Sequence, residues 1–268
     1  RGDFGAVKSF DIFDEQTIIS NIDVTNQADL RRAIQTVRPA VVINAVGVIK
    51  QNPRYNDVVQ TLLINSIFPH QLAELSAEFG FRLISISTDC VFDGTKGNYS
   101  EDDTPTPRDL YGMSKLLGEV IGDNFLTIRT SIIGRELSTK NSIVEWFLSH
   151  SGGTVKGYTH AIYTGFVSDV FADIIAKLIS DHPDLSGIYH ISSEPISKFS
   201  LLQLLNEFYD AGVKIVPSSD VVIDRSLDSS KFKSETGFEP LSWPEMIKRV
   251  SESNEPPDQS QSWPFRAS

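Results

Sequence analysis

A second cysteine, a glycine-rich phosphate loop, a long apolar run and an excess of positive charge are all missing from this chain. With Cys90 alone no intrachain disulfide can form, which points to a reducing compartment. No apolar run approaches the roughly 18 residues of a membrane span, and no signal-peptide pattern is read, so the expectation is a cytoplasmic protein with no membrane partner. The net charge is −11, from 24 Lys and Arg against 35 Asp and Glu. That balance argues against a nucleic-acid partner, although a local basic pocket can sit inside it. The five His and the single Cys show no metal-ligand spacing, so no metal is expected.

Neither G-x-G-x-x-G nor G-x-x-G-x-x-G occurs. Residues 1–10 read as a loop feeding a short strand, about 4–9, with no capped element before it. A parallel sheet of the kind inferred below needs one more strand and a glycine-rich turn upstream, so about 20 to 30 further residues are expected before Arg1. What is present can still bury a sizeable core. The chain has 268 residues, 40% of them hydrophobic and 22% charged, as in ordinary globular proteins.

From residue 11 onward helix and strand alternate. A short strand ends at 22–25, and Thr25 or Asn26 can cap a helix to about 37. Arg38-Pro39 breaks it, and 40–44 (AVVIN) is an apolar strand with a polar end. The small-residue turn Asn44-Ala45-Val46-Gly47 follows. A long helical region covers about 57–79, with a kink expected at Pro69 and a stop at Gly80. Strand 83–87, a helix to 121 and strand 125–130 continue the alternation. Such a pattern implies a parallel sheet covered on both faces, with ligands beyond the carboxyl ends of its strands. Asn44, Thr88, Arg129 and Thr130 fall at such ends. After Ser131 the texture changes. Helices are expected at 142–150, 168–179, 197–209 and 243–250, a strand at 187–191, a loop at 154–166, and a short helix within the polar segment 224–236. The Pro/Ser/Gln-rich residues 251–268 read as a mobile tail.

The chemistry concentrates in residues 83–119. An apolar strand ends in Ser87-Thr88-Asp89, and the helical segment RDLYGMSKLLGEV places Tyr111 and Lys115 on one face, one turn apart. A ketone accepting hydride develops negative charge on oxygen and needs donors there. Tyr111 is the candidate acid. A free phenol, with a pKa of about 10, exchanges protons poorly near neutrality, and the Lys115 ammonium is expected to lower it. Thr88 supplies a second hydrogen bond to the carbonyl oxygen. Taken singly, a boundary tyrosine, a solvated lysine and a strand-end threonine are unremarkable, and the weight lies in their combination.

The pieces VVINAVGVIKQ, STDCVFDGTKGNYSEDDTPTPRDLYGMSKLLGE and IRTSIIGRE resemble the extended short-chain dehydrogenase/reductases, in particular the dTDP-4-dehydrorhamnose reductase branch of nucleotide-sugar enzymes. The likeness is good over about 23–134 and looser, by order of elements, to about 250. It implies an α/β fold, a Rossmann-like doubly wound parallel sheet lacking its first strand and glycine loop in the given residues, with a smaller interlocked α/β substrate-binding subdomain. The expected division is 1–134 for NAD(P) binding and 135–250 for substrate, followed by the tail.

The resemblance makes Thr88, Tyr111 and Lys115 the catalytic trio, with Lys115 also holding the nicotinamide ribose. It places the turn Asn44, Ala45, Val46 and Gly47 against the cofactor, where small side chains allow close backbone approach; a tight turn without ligand is the alternative. Asp23 matches an acidic residue near the adenine, and a helix-cap neighbour is the alternative. Asn65 matches a helical asparagine that supports the lysine through water, against a plain helix-bonding role. Lys8 ends the expected second strand, where a cation would meet a 2′-phosphate, so NADP is preferred and NAD stays open. Thr88, Asp89, Arg135, Lys156 and Tyr158 are the candidate substrate residues for a nucleoside-diphosphate sugar, with His160 and Tyr163 in the same stretch. Cys90 is read as packing. Related dehydratases carry Asp-Glu after the threonine, whereas here Cys90 follows Asp89, which favours carbonyl reduction. Two alternatives remain: an epimerase retaining its NAD, and a non-catalytic NADP-binding regulatory subunit. A homodimer is left open.

Overall fold

The computed structural model describes residues 19, 21–52, 55–136 and 142–252. In chain order the first elements are α1 (Gln27–Val37), β1 (Val41–Asn44), α2 (Val58–Leu62), a π-helical turn (Leu63–Ile67) and α3 (Phe68–Phe79). Next come β2 (Arg82–Ile86), a 3-10 turn (Asp89–Val91), α4 (Leu110–Leu117), β3 (Phe125–Arg129), β4 (Ile132–Ile133) and α5 (Ile143–Leu148). The remainder is β5 (Thr154–Tyr163), β6 (Phe166–Val167), α6 (Ser168–Ser180), β7 (Gly187–His190), β8 (Ile196–Ser197), α7 (Lys198–Phe208), β9 (Lys214–Asp224), α8 (Ser230–Thr236) and α9 (Trp243–Glu252). Residues 4–9, Lys8 and positions 253–268 of the expected tail lie outside the described residues.

The main sheet is wholly parallel, in the order β1-β2-β3-β7. Its faces follow from strand periodicity, because successive side chains leave on opposite sides. In β2, Leu83 packs with Leu30 and Ile34 of α1 and with Phe68, Leu72 and Leu75 of α3. The next residue, Ile84, joins Leu126 and Ile128 of β3 against Val170, Ile174 and Leu178 of α6. This is a Rossmann-like sheet with helices on both faces. The second apolar cluster continues without a break to Leu201 and Leu205 of α7 and to Trp243, Met246, Ile247 and Val250 of α9. Since β7 and α6 come from beyond residue 134, a division of the chain there cuts through the main sheet and its core. Among the described residues no helix is long and apolar enough to cross a membrane.

Local signals account for several boundaries. Asn26 Oδ1 accepts from the Ala28 amide at the start of α1, and Gly80, at φ 79°, ends α3 in the left-handed region open to glycine. The kink expected at Pro69 takes a specific form. Helix continues through 58–79, but a π-helical turn precedes the proline, which falls in the first turn of α3. Proline has no N–H to offer the carbonyl four residues back, that of Asn65. A one-turn widening absorbs the missing bond, and such turns recur at functional sites.

One expectation fails. The composition of residues 154–166 suggests a loop, yet 154–163 form the centre of a three-stranded sheet, β8-β5-β9. β5 runs parallel to β9, with Val155 opposite Ile215 and Ala161 opposite Ile223, and antiparallel to β8. Its partner lies some 60 residues on, so nothing local reveals the pairing. The partner strand β9 has no buried residue and contains Pro217, which suits an edge position.

Candidate active site

The Tyr111/Lys115 helix is held unusually close to its neighbours by two glycines. A Cβ at Gly112 would sit 2.2 Å from the Cys90 carbonyl oxygen, and one at Gly118 would sit 1.9 Å from the Asn65 carbonyl oxygen. The second contact uses the carbonyl that Pro69 leaves without its helical donor. Asp109 caps the helix, its Oδ1 accepting from the Gly112 amide at 2.9 Å. Asn65 then locks three segments together. Its amide accepts from Val48 N at 2.7 Å and donates to Val48 O at 2.9 Å and to Ser114 Oγ at 3.0 Å. Asn65 therefore ties the turn after β1 to α4. Gly112→Ala is expected to push α4 off the Cys90 turn. It should cost about 1–3 kcal/mol of stability, as overpacking does, together with turnover; urea denaturation and a rate measurement check both.

Thr88 lies two residues beyond the end of β2 and caps the 3-10 turn. Its Oγ1 accepts from the Cys90 amide at 3.1 Å and lies 3.1 Å from Asp89 Oδ1. Asp89 is almost fully buried, and burial raises its carboxyl despite the opposing charges of Arg225 and Lys50. Cys90 is pushed up to about 11, first by burial and then by Asp89, so it stays a thiol, in keeping with a packing role.

The charge relation expected between Lys115 and Tyr111 is not what the structure shows. Burial raises the Tyr111 phenol well above its ordinary value; Cys90, Asp89 and Asp109 push the same way, and a hydrogen bond with Thr88 works against them. Lys115 instead donates from Nζ to the Ile86 carbonyl at 2.6 Å. Burial lowers its ammonium to about 8, opposed by Glu119 one turn further on. Lys115 is thus spent on the end of β2 rather than on the phenol. Lys50, from the turn after β1, is the cation that approaches Tyr111, 5.8 Å from the ring centroid, while its Nζ donates to Asp109 at 2.5 Å.

Behind the site lies a buried ion pair. Glu119 and Arg129, with side chains 5% and 4% exposed, bond through Nε to Oε1 and Nη2 to Oε2, each at 2.8 Å. Glu119 Oε1 also accepts from Ser87 Oγ at 2.7 Å. Arg129 Nη1 reaches His190 Nε2 at 3.3 Å, and His190 Nδ1 donates to the Tyr99 carbonyl at 2.9 Å. Burial first, then Arg129, lowers His190 to about 4, so the ring is neutral and can accept at Nε2. Arg129, which the strand-end argument had placed toward a ligand, is a structural cation here. Its neighbour Thr130 does line the cleft, with a buried hydroxyl that has no partner among the described residues.

These elements border a cleft of about 1340 Å³. The structure brings Ala45, Val46, Gly47, Thr88, Asp89, Tyr111, Lys115 and Arg135 together on its walls. Asn44 stands behind the turn, its Oδ1 accepting from Val46 N at 3.2 Å. Ile43, Val46 and Ile132 expose apolar surface to the cleft, a fit for a flat heteroaromatic ring such as nicotinamide. Arg135 pairs with Glu145. Lys156 and Tyr158 are set apart, lining a smaller cavity of about 290 Å³ that shares Gln51, Ile143 and Lys198 with the cleft. There Lys156 is exposed and paired with Asp220 at 2.7 Å. Asp23 is engaged as a cap neighbour, accepting from Thr25 N and Thr25 Oγ1, and it is not among the cleft residues. Lys8 lies outside the described residues.

Sequence reasoning missed Lys50, Lys198 and Arg225, all on the cleft walls. Nothing near Arg225 signals its place, because it arrives after β9, the strand that was not foreseen. Gly112 and Gly118 were legible in principle, as glycines interrupting a helical pattern.

The family described as RmlD substrate binding domain matches residues 10–255. The dTDP-4-dehydrorhamnose reductase of Aggregatibacter actinomycetemcomitans is 26% identical over 259 residues, covering 86% of this chain and 87% of that protein. The methionine adenosyltransferase 2 subunit beta of Xenopus tropicalis is 27% identical over 198 residues, 67% of this chain and 58% of that protein. Among solved structures, the dTDP-4-dehydrorhamnose reductase of Bacillus anthracis in complex with NADP superposes with a TM-score of 0.76. It is 24% identical and covers 91% of this chain and 89% of that one.

Proposed function

The chain belongs to the RmlD substrate binding domain family, and from that premise we propose that it is an NAD(P)H-dependent reductase of a keto-sugar carried by a nucleoside diphosphate. The observation that carries this reading is the convergence of Thr88, Tyr111 and Lys115 on one cleft wall, beside the turn Ala45–Gly47 and the cations Lys50, Arg135, Lys198 and Arg225. The turn, the apolar surface of Ile43 and Val46, and Lys115 would hold the nicotinamide end of the cofactor. When bound, NADPH supplies the hydride. Tyr111 is neutral in the cleft and, although burial makes it a weaker acid, it can still give its proton to the forming alkoxide, which is the stronger base. Thr88 offers that oxygen a second hydrogen bond. Lys115 has one donor on the Ile86 carbonyl and two left for the ribose. The cations at the cleft walls suit a diphosphate within an otherwise acidic protein.

A neutral phenol favours the reductive direction, since an epimerase must first abstract a proton with a phenolate. Cys90 in place of a glutamate after Asp89 speaks against dehydration. NADP is the preferred cofactor on the strength of Lys8 and of the NADP-bound relative. A second reading is supported by the similarity to a methionine adenosyltransferase subunit beta, namely that of a subunit that binds cofactor without turning over.

Steady-state NADPH oxidation with a nucleoside-diphosphate 4-keto-sugar tests the proposal. Turnover is expected, and it should fall as pH rises through about 8, because the Lys115 ammonium is present below that value and lost above it. A protein that binds NADPH yet reduces no keto-sugar would favour the regulatory subunit instead.

A further inference from the structure

Thr88 carries one hydroxyl proton, and two acceptors compete for it. Its Oγ1 is already an acceptor from the Cys90 amide and lies beside the Tyr111 hydroxyl, and at 3.1 Å an ionised Asp89 Oδ1 is the strongest acceptor in reach of its proton. The reductase reading, on which this inference rests, needs the same proton on the substrate oxygen. A hydroxyl cannot donate twice. If Asp89 holds a proton of its own, the bond reverses: the carboxyl O–H donates to Thr88 Oγ1, and the Thr88 proton is free to point into the cleft.

The surroundings of Asp89 favour the protonated form. The residue is 6% exposed. Thr88 and Cys90 face it from its own turn, Tyr111 from α4, Tyr163 from β5, Lys50 from the turn after β1 and Arg225 from the segment after β9. Only Lys50 and Arg225 carry positive charge, and their hydrogen bonds go elsewhere among the described residues. Lys50 donates to Asp109 at 2.5 Å, while Arg225 donates from Nε to the Phe92 carbonyl at 2.9 Å and from Nη1 to Cys90 Sγ at 3.6 Å. A buried carboxylate with no charged hydrogen-bond donor on it is the case in which protonation relieves the desolvation cost.

We infer that Asp89 is a positioning residue which, as a neutral acid, donates to Thr88 Oγ1 and so turns the Thr88 hydroxyl proton toward the substrate carbonyl oxygen. The carboxyl itself transfers no proton to substrate; it sets the direction of a hydrogen bond.

The test compares Asp89→Ala and Asp89→Asn in keto-sugar reduction, with NADPH titration of each variant as a check on folding. Infrared difference spectra of the NADPH-bound wild type against Asp89→Asn, with carbon-13 aspartate labelling, read the protonation state at neutral pH. Asp89→Ala keeps the Thr88 hydroxyl but removes the donor that orients it, so turnover is expected to fall by roughly tenfold or more, short of the roughly 10²-fold of a deleted oxyanion donor. Asp89→Asn, whose amide N–H replaces the acid O–H, should recover most of that loss. The spectrum should show a protonated carboxyl. An ionised Asp89 band overturns the inference whether or not the protein is a reductase. So does an Asp89→Asn variant as slow as Asp89→Ala, because the charge would then be what matters, or an Asp89→Ala variant as fast as wild type. A wild type without reductase activity would instead count against the proposed function, leaving the infrared result to judge Asp89 on its own.

Discussion

Tyr111→Phe is expected to reduce keto-sugar turnover by roughly 10²–10⁴-fold, the usual worth of a positioned general acid. The change removes only the hydroxyl. The ring keeps its place beside Lys50, and the helix keeps its Asp109 cap and its close approach at Gly112. Stability and NADPH affinity should therefore change little, since the phenol acts on charge that appears only in the transition state. Lys115→Ala should differ in kind. It deletes the bond to the Ile86 carbonyl and the donors assigned to the ribose, so turnover and cofactor affinity should fall together. Steady-state rates and cofactor titrations separate the two variants. Wild-type-like turnover in Tyr111→Phe would eliminate the mechanism.

The largest expected effect on stability lies behind the site. Arg129→Ala strands the Glu119 carboxylate in a position where its side chain is 5% exposed, with the Ser87 hydroxyl as its remaining donor among the described residues. Removing one partner of a buried pair costs about 3–5 kcal/mol, because the other charge stays desolvated. Urea denaturation should show that loss as a lower midpoint at unchanged slope. Arg129→Met combined with Glu119→Leu should recover most of it, since replacing both charges removes the desolvation cost along with the attraction. A single variant as stable as wild type would mean that water reaches Glu119. The pair matters for chemistry too. Glu119 is the group that works against burial to keep Lys115 charged, so Arg129→Met with Glu119→Leu should move the alkaline fall in rate to lower pH even where stability is restored.

Local sequence patterns were enough for the class of fold and for placing Thr88, Tyr111 and Lys115 where they line one cleft. Short apolar strands alternating with amphipathic helices can bury both faces of a sheet only when the strands run parallel, and that arrangement is what β1, β2, β3 and β7 adopt. The position of Tyr111 relative to Lys115 follows from helical periodicity, and the place of Thr88 follows from the end of an apolar run. Caps at Asn26 and Asp109 and the stop at Gly80 are equally local. Everything set by partners far apart in sequence came only with the closed fold. β5 is a strand because β9, about 60 residues later, pairs with it; its own polar and glycine-containing composition reads as a loop. Arg129 faces Glu119 rather than a ligand because α4 and β3 pack side by side. The charge environment of Tyr111 depends on how deeply it is buried and on which acids surround it, so the nearby lysine in sequence did not set the direction of its shift. Spacing along a chain fixes which side chains share a face, but hydrogen-bond partners, desolvation and wall residues such as Arg225 come from elements that meet only when the chain closes on itself.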